Sequence, residues 1–143
     1  MKSFQVDVIG TPVPQGSLRR TRYTIIHAND EALKLWRNKV QIEITDNMPE
    51  DWDQTAAVSV VADFRFARPK SHFGKKGLRP SAPKHKTTRC DLDKCIRAIS
   101  DSMEQAYLVE DDSQIIQWMA TKRWMRENEK PGVHLTILNQ SSE

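Results

Sequence analysis

The 143 residues contain only two cysteines, Cys90 and Cys95. Spaced C-x4-C with no second pair, they supply no disulfide framework and point to a reducing compartment, where they serve as small, partly buried thiols. Long apolar runs are missing as well. Nothing approaches the roughly 18 uncharged residues needed to cross a bilayer, and the opening Met1-Lys-Ser-Phe-Gln-Val-Asp-Val has no long apolar run. The expectation is a soluble cytoplasmic protein that does not engage a membrane. Internal repeats, low-complexity tracts and linkers are absent, so residues 1–143 read as one domain, long enough to bury roughly two thirds of its unfolded surface.

Net charge is also small, +3 at pH 7, and its sign alone does not establish a nucleic-acid partner. Its distribution says more. Between Arg65 and Arg97 the chain carries Arg68, Lys70, Lys75, Lys76, Arg79, Lys84, Lys86, Arg89 and Lys94, while the only acids are Asp91 and Asp93. Pro69, Gly74, Gly77, Pro80 and Pro83 punctuate this stretch, so residues 68–86 are expected to form a basic, mobile surface loop rather than helix or strand. A second basic spot, Arg19, Arg20 and Arg22, follows Gly10-Thr-Pro-Val-Pro-Gln-Gly-Ser17. Each run taken alone is as consistent with a solvated loop as with phosphate contact. Their position on either side of the acids favours phosphate.

Hydrophobic periodicity alternates between strand and helix. Phe4, Val6 and Val8 predict a strand, Tyr23 to Ile26 a shorter one, and Leu33, Trp36, Val40 and Ile44 one face of a helix opening near Asn29. Thr55 to Phe66 is the strongest strand, because Val58, Val60, Ala62 and Phe64 make one face wholly apolar. A helix from Asp91 to Gln105 follows, with Leu92, Cys95, Ile96, Ile99, Met103 and Ala106 as its buried stripe. Gln114 to Arg123 and Val133 to Leu138 read as two closing strands. The predicted fold is α+β, a mixed sheet packed with two principal helices.

The chemistry resides in two acidic groups, Asp91 and Asp93 at the start of that helix and Glu110-Asp111-Asp112 beyond its end. Crowded carboxylates repel one another unless a hard divalent cation sits between them. An acidic metal pocket beside a basic flank is what phosphodiester hydrolysis on a nucleic acid requires. A single aspartate at a helix start is equally explained as an N-cap. The pair D-x-D followed by a second cluster is not, provided Tyr107-Leu-Val109 returns the chain beside a helix about 22 Å long. Asp93, Arg97 and Asp101 form an i,i+4 series, and for Asp101 a surface ion pair competes with a catalytic role. His72, His85, Cys90 and Cys95 can be drawn as a zinc set, but without a CxxC knuckle loop histidines are the simpler reading. Trp36 belongs to the core, Trp118 and Trp124 to the sheet face or a dimer contact, and Phe66 and Phe73 are candidates for a wedge into unstacked DNA or for anchors of the loop.

Asp91-Leu-Asp93, a helix, and then Asp111-Asp112-Ser-Gln114 together resemble the RusA family of Holliday junction resolvases, and Gly10 to Ser17 looks like the Gly/Pro-rich opening of its phage branch. The resemblance covers most of the chain. It implies a magnesium-dependent endodeoxyribonuclease, with manganese as a substitute, that nicks four-way DNA junctions in pairs as a homodimer in recombination and repair. It further implies Asp91, Asp93 and Asp112 as metal ligands and a 5′-phosphate product. Two positions depart from the family pattern: Lys94 stands where an Asn is usual, and Arg97 where a helix lysine is usual. Arg97 keeps the charge needed to stabilise a phosphate but cannot give up a proton. Local phosphate contacts are then Arg89, Lys94 and Arg97. Arg19, Arg20, Arg22, Arg68, Lys70, Lys75, Lys76, Lys84 and Lys86 make the wider DNA footprint. Two rival readings stay open: a non-catalytic junction- or duplex-binding protein, and a flap or single-strand endonuclease with the same metal site.

Overall fold

Alternation of apolar and polar residues decides which way each strand faces. In the computed structural model, which describes residues 2–16 and 27–140, Val58, Val60, Ala62 and Phe64 of β2 (Ala57–Phe66) are all 1% exposed or less. Val133, Leu135 and Ile137 of β6 (Gly132–Gln140) are likewise buried, as are Val6 and Val8 of β1 (Lys2–Ile9). Each such side chain removed from water contributes about 1.5–3 kcal/mol, so a one-residue slip in register would forfeit the whole face. β5 (Ile115–Trp124) completes a four-stranded sheet in the order β1-β6-β2-β5. β6 runs antiparallel to both neighbours and β5 runs parallel to β2. The mixed α+β sheet read from the sequence is therefore present.

Two helices cover the apolar face. α1 (His27–Asn47) buries Trp36, Val40 and Ile44, the stripe expected from their spacing. α2 (Leu92–Gln105) buries Cys95, Ile99 and Met103 as expected, together with Ala98 and Ser102, while Leu92 and Ile96 are only half-buried. Ser102 is tolerated inside because its hydroxyl donates to the Ala98 carbonyl at 2.9 Å. Tyr23 to Ile26, read as a strand, lies outside the described residues. Among the described residues, no helix is long and apolar enough to cross a membrane.

The opposite face of the sheet is held by ion pairs. Arg65, 6% exposed, donates from Nη1 to Asp7 at 2.8 Å and from Nε to the Lys130 carbonyl at 3.0 Å, so its charge is buried with partners. Arg123 forks onto both oxygens of Glu129 at 2.7 Å and also reaches Asp63. That fork, acting first through its hydrogen bonds, holds the Glu129 carboxyl down at about 2.

The segment after β2 carries structure of its own where a plain loop was expected. A 3-10 turn at Lys70–His72 leads into a small hairpin, β3 (Phe73–Gly74) and β4 (Gly77–Leu78). Gly77, at φ +99°, supplies the left-handed conformation that follows the turn through Lys75 and Lys76, as in a hairpin closed by a glycine bulge. Arg68 closes the base of this arm by donating to the Pro83 carbonyl at 2.8 Å.

Gly132 marks the tightest approach in the sheet, since a Cβ there would lie 2.1 Å from the Val8 carbonyl oxygen. Gly132→Ala is expected to destabilise the fold by about 1–3 kcal/mol. An unchanged urea midpoint would contradict that geometry. Because Glu129 titrates lower folded than unfolded, its contribution is present above its ordinary value of 4.5 and fades as pH falls toward 2. Glu129→Gln should therefore flatten the loss of thermal stability over that interval.

Candidate metal centre and nucleic-acid interface

The way α2 ends determines where the second acidic group goes. The Leu108 N–H donates to the Met103 carbonyl at 3.0 Å and the Tyr107 N–H to the Glu104 carbonyl at 3.1 Å, with Tyr107 at φ +59°. This is a Schellman cap in which a tyrosine occupies the left-handed position that glycine usually takes. Leu108 and Val109 then sink into the core, and Trp52 Nε1 donates to the Leu108 carbonyl at 3.0 Å. The chain is turned back at the end of α2 and does not travel along it to the start.

A 3-10 turn, Asp112–Gln114, fixes the acids that follow. Asp111 is its N-cap: its carboxylate accepts from the Ser113 N–H and hydroxyl, and these bonds hold its pKa below the ordinary carboxylate value. Gln114 accepts from the Glu110 and Asp111 N–H groups at 2.8 and 3.0 Å. Its amide donates to the Gln54 and Ala56 carbonyls, which ties the turn to the start of β2. Asp111 and Gln114 of the D-D-x-Q run are thus scaffold. Asp112 is left free to face α2.

Asp112 meets Asp101 and Glu104, and one oxygen from each lies within 4.8 Å of the others. Among the described residues this is the one group of three potential metal ligands. Asp91 and Asp93 are not part of it. They sit at the other end of α2, where eight residues from Asp93 to Asp101 span about 12 Å. Asp91 holds the N-cap position of α2 but makes no capping hydrogen bond; its carboxylate pairs instead with Lys94 at 3.4 Å. Asp93 is exposed in the first turn. The rotation of 100° per residue puts Asp93, Arg97, Asp101 and Glu104 on one side of α2. The face is therefore continuous from one acidic end to the other, with exposed Arg97 between. No Arg97–Asp101 ion pair forms among the described residues.

Glu104 registers the crowding. Partial desolvation, then the charges of Asp112, Asp111 and Asp101, push its carboxyl above the ordinary value. The donor set is all oxygen, with neither thiol nor imidazole, which suits a hard cation such as magnesium or manganese. The oxygen Gln15 Oε1 is buried without a hydrogen-bond partner, although the Gln15 amide nitrogen donates to Asp101. Beside the cluster an open cleft of about 570 Å³ is lined by Arg37, Gln41, Asp101, Glu104, Gln105 and Tyr107. Arg37 brings positive charge to the wall facing the acids, and its buried Nε has no partner.

The basic side chains divide into two groups. Lys70, Lys75, Lys76, Lys84 and Arg89 are exposed, and Lys94 is half-buried beside Asp91. Arg68 lies 5.5 Å over the Trp124 ring and holds the arm in place. Lys86, read as a DNA contact, points inward: it is 7% exposed, with its ammonium 4.8 Å from the Phe66 ring and 4.7 Å from the Trp124 ring. It also donates to the Arg89 carbonyl, and burial followed by the charge of Lys122 pushes its pKa down. Phe66 is buried beneath Lys86, whereas Phe73 is 45% exposed on the hairpin. Trp124 is buried and Trp118 packs partly against the core. Cys90 and Cys95 are hydrogen-bonded to each other, sulfur to sulfur at 2.6 Å, and no zinc set with His72 and His85 assembles among the described residues. Arg19, Arg20 and Arg22 lie outside the described residues.

Sequence reading passed over Glu104, Arg37, Gln15 and Lys122, whose ammonium donates to the Thr88 and Cys90 carbonyls at 2.8 and 2.9 Å and pins the approach to Asp91. The i,i+3 spacing of Asp101 and Glu104 was a usable signal. Nothing local to Arg37, Gln15 or Lys122 identifies them.

Comparison with known proteins gives one family. The profile described as Endodeoxyribonuclease RusA matches residues 10–138 of the chain. No curated protein matches it significantly.

Repulsion within the cluster predicts the behaviour of Glu104→Gln. In EDTA the variant should melt higher than the parent, because one crowded negative charge is gone. The rise in melting temperature that magnesium gives the parent should shrink or vanish. A larger magnesium effect in the variant would exclude Glu104 from cation binding.

Proposed function

The chain belongs to the RusA family of endodeoxyribonucleases, and from that premise we propose that it is a divalent-cation-dependent nuclease that resolves four-way DNA junctions by paired nicking as a homodimer. The observation that carries the metal reading is the convergence of Asp101, Glu104 and Asp112 beside a cleft that also presents Arg37. A cation held there supplies the charge that polarises a phosphate oxygen and lowers the pKa of attacking water. Asp112 is common to this group and to the set that the family resemblance implies. Asp93 stands at the far end of the same helical face, with Asp91 two residues before it at the N-cap, and the two serve as a second acidic station on the path of the strand.

The chain's own residues perform the rest. Arg97, one turn from Asp93 and from Asp101, holds the scissile phosphate between the two stations and offsets charge developing on its oxygens. Arg37 contacts the strand where it enters the cleft. Lys70, Lys75, Lys76, Lys84 and Arg89 bind the flanking backbone without reading bases, so selectivity comes from the shape of the junction and from the two-fold symmetry of the dimer. Asp111 and Gln114 keep Asp112 aimed at the site. A buried Lys86 sets the direction of the arm from within.

A labelled four-way junction, set beside matched duplex and flap DNA with magnesium and with EDTA, tests this directly. Paired nicks in the junction alone support it. Binding without cleavage, or cutting of the flap only, would replace it with a non-catalytic or a flap-specific role. Asp112→Asn should reduce cleavage by about 100-fold or more while leaving junction binding equal or tighter. Asp101→Asn with Glu104→Gln should match that loss if the cation sits at the end of α2. An equal loss confined to Asp91→Asn with Asp93→Asn would move the cation to the start of the helix.

A further inference from the structure

We infer that Gln15 is a positioning residue for the acidic cluster, a role that rests on the metal reading above. Gln15 lies in the Gly/Pro-rich segment between β1 and α1, 86 residues before Asp101 and far in sequence from the other acids of the cluster. Two contacts lay it along α2. Its N–H donates to the Lys94 carbonyl at 3.0 Å, and its side-chain amide donates to Asp101 Oδ2. The two contacts span residues 94 to 101 of α2, nearly two turns at 3.6 residues per turn. Pro12 is buried and Val13 packs on the core, so the backbone leading into Gln15 is anchored just before the contact.

The consequence for Asp101 follows from valence. A carboxylate that accepts from a fixed amide loses its freedom to rotate away from its neighbours, and one oxygen remains to face Glu104 and Asp112. Outer partners of this kind orient metal-binding carboxylates and are worth about 10–100-fold in cation affinity. The amide also leaves a signature. Gln15 Oε1 is buried and accepts nothing from the described residues, which costs free energy in a folded chain unless something at the site donates to it. Water carried by a divalent cation is such a donor. Gln15 therefore fixes one ligand with its nitrogen and receives the hydration shell with its oxygen.

The test uses the full chain, Mn²⁺ alone as the probe, and free Mn²⁺ counted by electron paramagnetic resonance, with Asp112→Asn as the control. Gln15→Ala and Gln15→Met are both expected to weaken Mn²⁺ binding by about 10-fold or more, with unfolding midpoints in EDTA close to the parent's. The magnesium concentration that half-saturates junction cleavage should rise by a similar factor while the rate at saturating magnesium is retained. Methionine keeps the length and volume but not the amide. Parent-like binding by Gln15→Met beside weakened Gln15→Ala would show that the segment acts by packing, and would overturn the proposal; so would parent-like binding by both. If the parent itself binds no Mn²⁺, or Asp112→Asn binds as tightly as the parent, the cation site is misplaced and this role falls with it.

Discussion

The parallel pairing of β2 with β5 is the constraint from which the site follows. Antiparallel neighbours can be joined by a two-residue turn, but parallel ones need a crossover that carries the chain back to the starting edge. Here that crossover contains the basic arm, α2 and the acidic turn. It must lie over the apolar face of the sheet, because only there can Cys95, Ile99 and Met103 leave water. Once α2 is placed with that stripe inward, its opposite side has to carry Asp93, Arg97, Asp101 and Glu104. Packing and chemistry are two faces of one element.

Crowded like charge is unfavourable, and the protein assembles it with rigid parts. A Schellman turn at Tyr107, the buried pair Leu108 and Val109, and the Asp111–Gln114 capping box bring Asp112 onto Glu104 without any opposite charge in the group. Partial desolvation, and then the neighbouring negative charges of Asp112, Asp111 and Asp101, push the Glu104 pKa up. A site built this way is preorganised for a cation, because the carboxylates need not move to receive it. The cleft beside it, walled by Arg37 from α1, uses the second helix as the opposing jaw.

The basic arm shows how composition misleads about individual residues. Eleven cations between Arg65 and Arg97 suggest a mobile electrostatic surface. Yet Arg65 is buried against Asp7, Arg68 ties the arm together, and Lys86 lies between two aromatic rings. Among the described residues, Lys70, Lys75, Lys76, Lys84, Arg89 and Arg97 remain exposed. Guanidinium and ammonium groups on long apolar stems pack as readily as they solvate, so position along the chain does not say which of the two a given residue will do.

Periodicity alone was enough for the β1, α1, β2, α2, β5 and β6 elements. Burying Val58 to Phe64 on one side and Ile99 and Met103 on another leaves few ways to pair a sheet with helices, and that cost is local to each element. That Asp112 would join a group of acids was legible for the same reason, since like charges at fixed spacing along the chain demand a partner. The three-dimensional grouping was not. Whether Asp112 returns to the start of α2 or stops at its end depends on a left-handed residue at Tyr107 and on two hydrogen bonds there. Asp101 acquires its fixed orientation from Gln15, 86 residues away. Such contacts have no sequence period, because they are set by how the elements dock, and only the tertiary structure decides that.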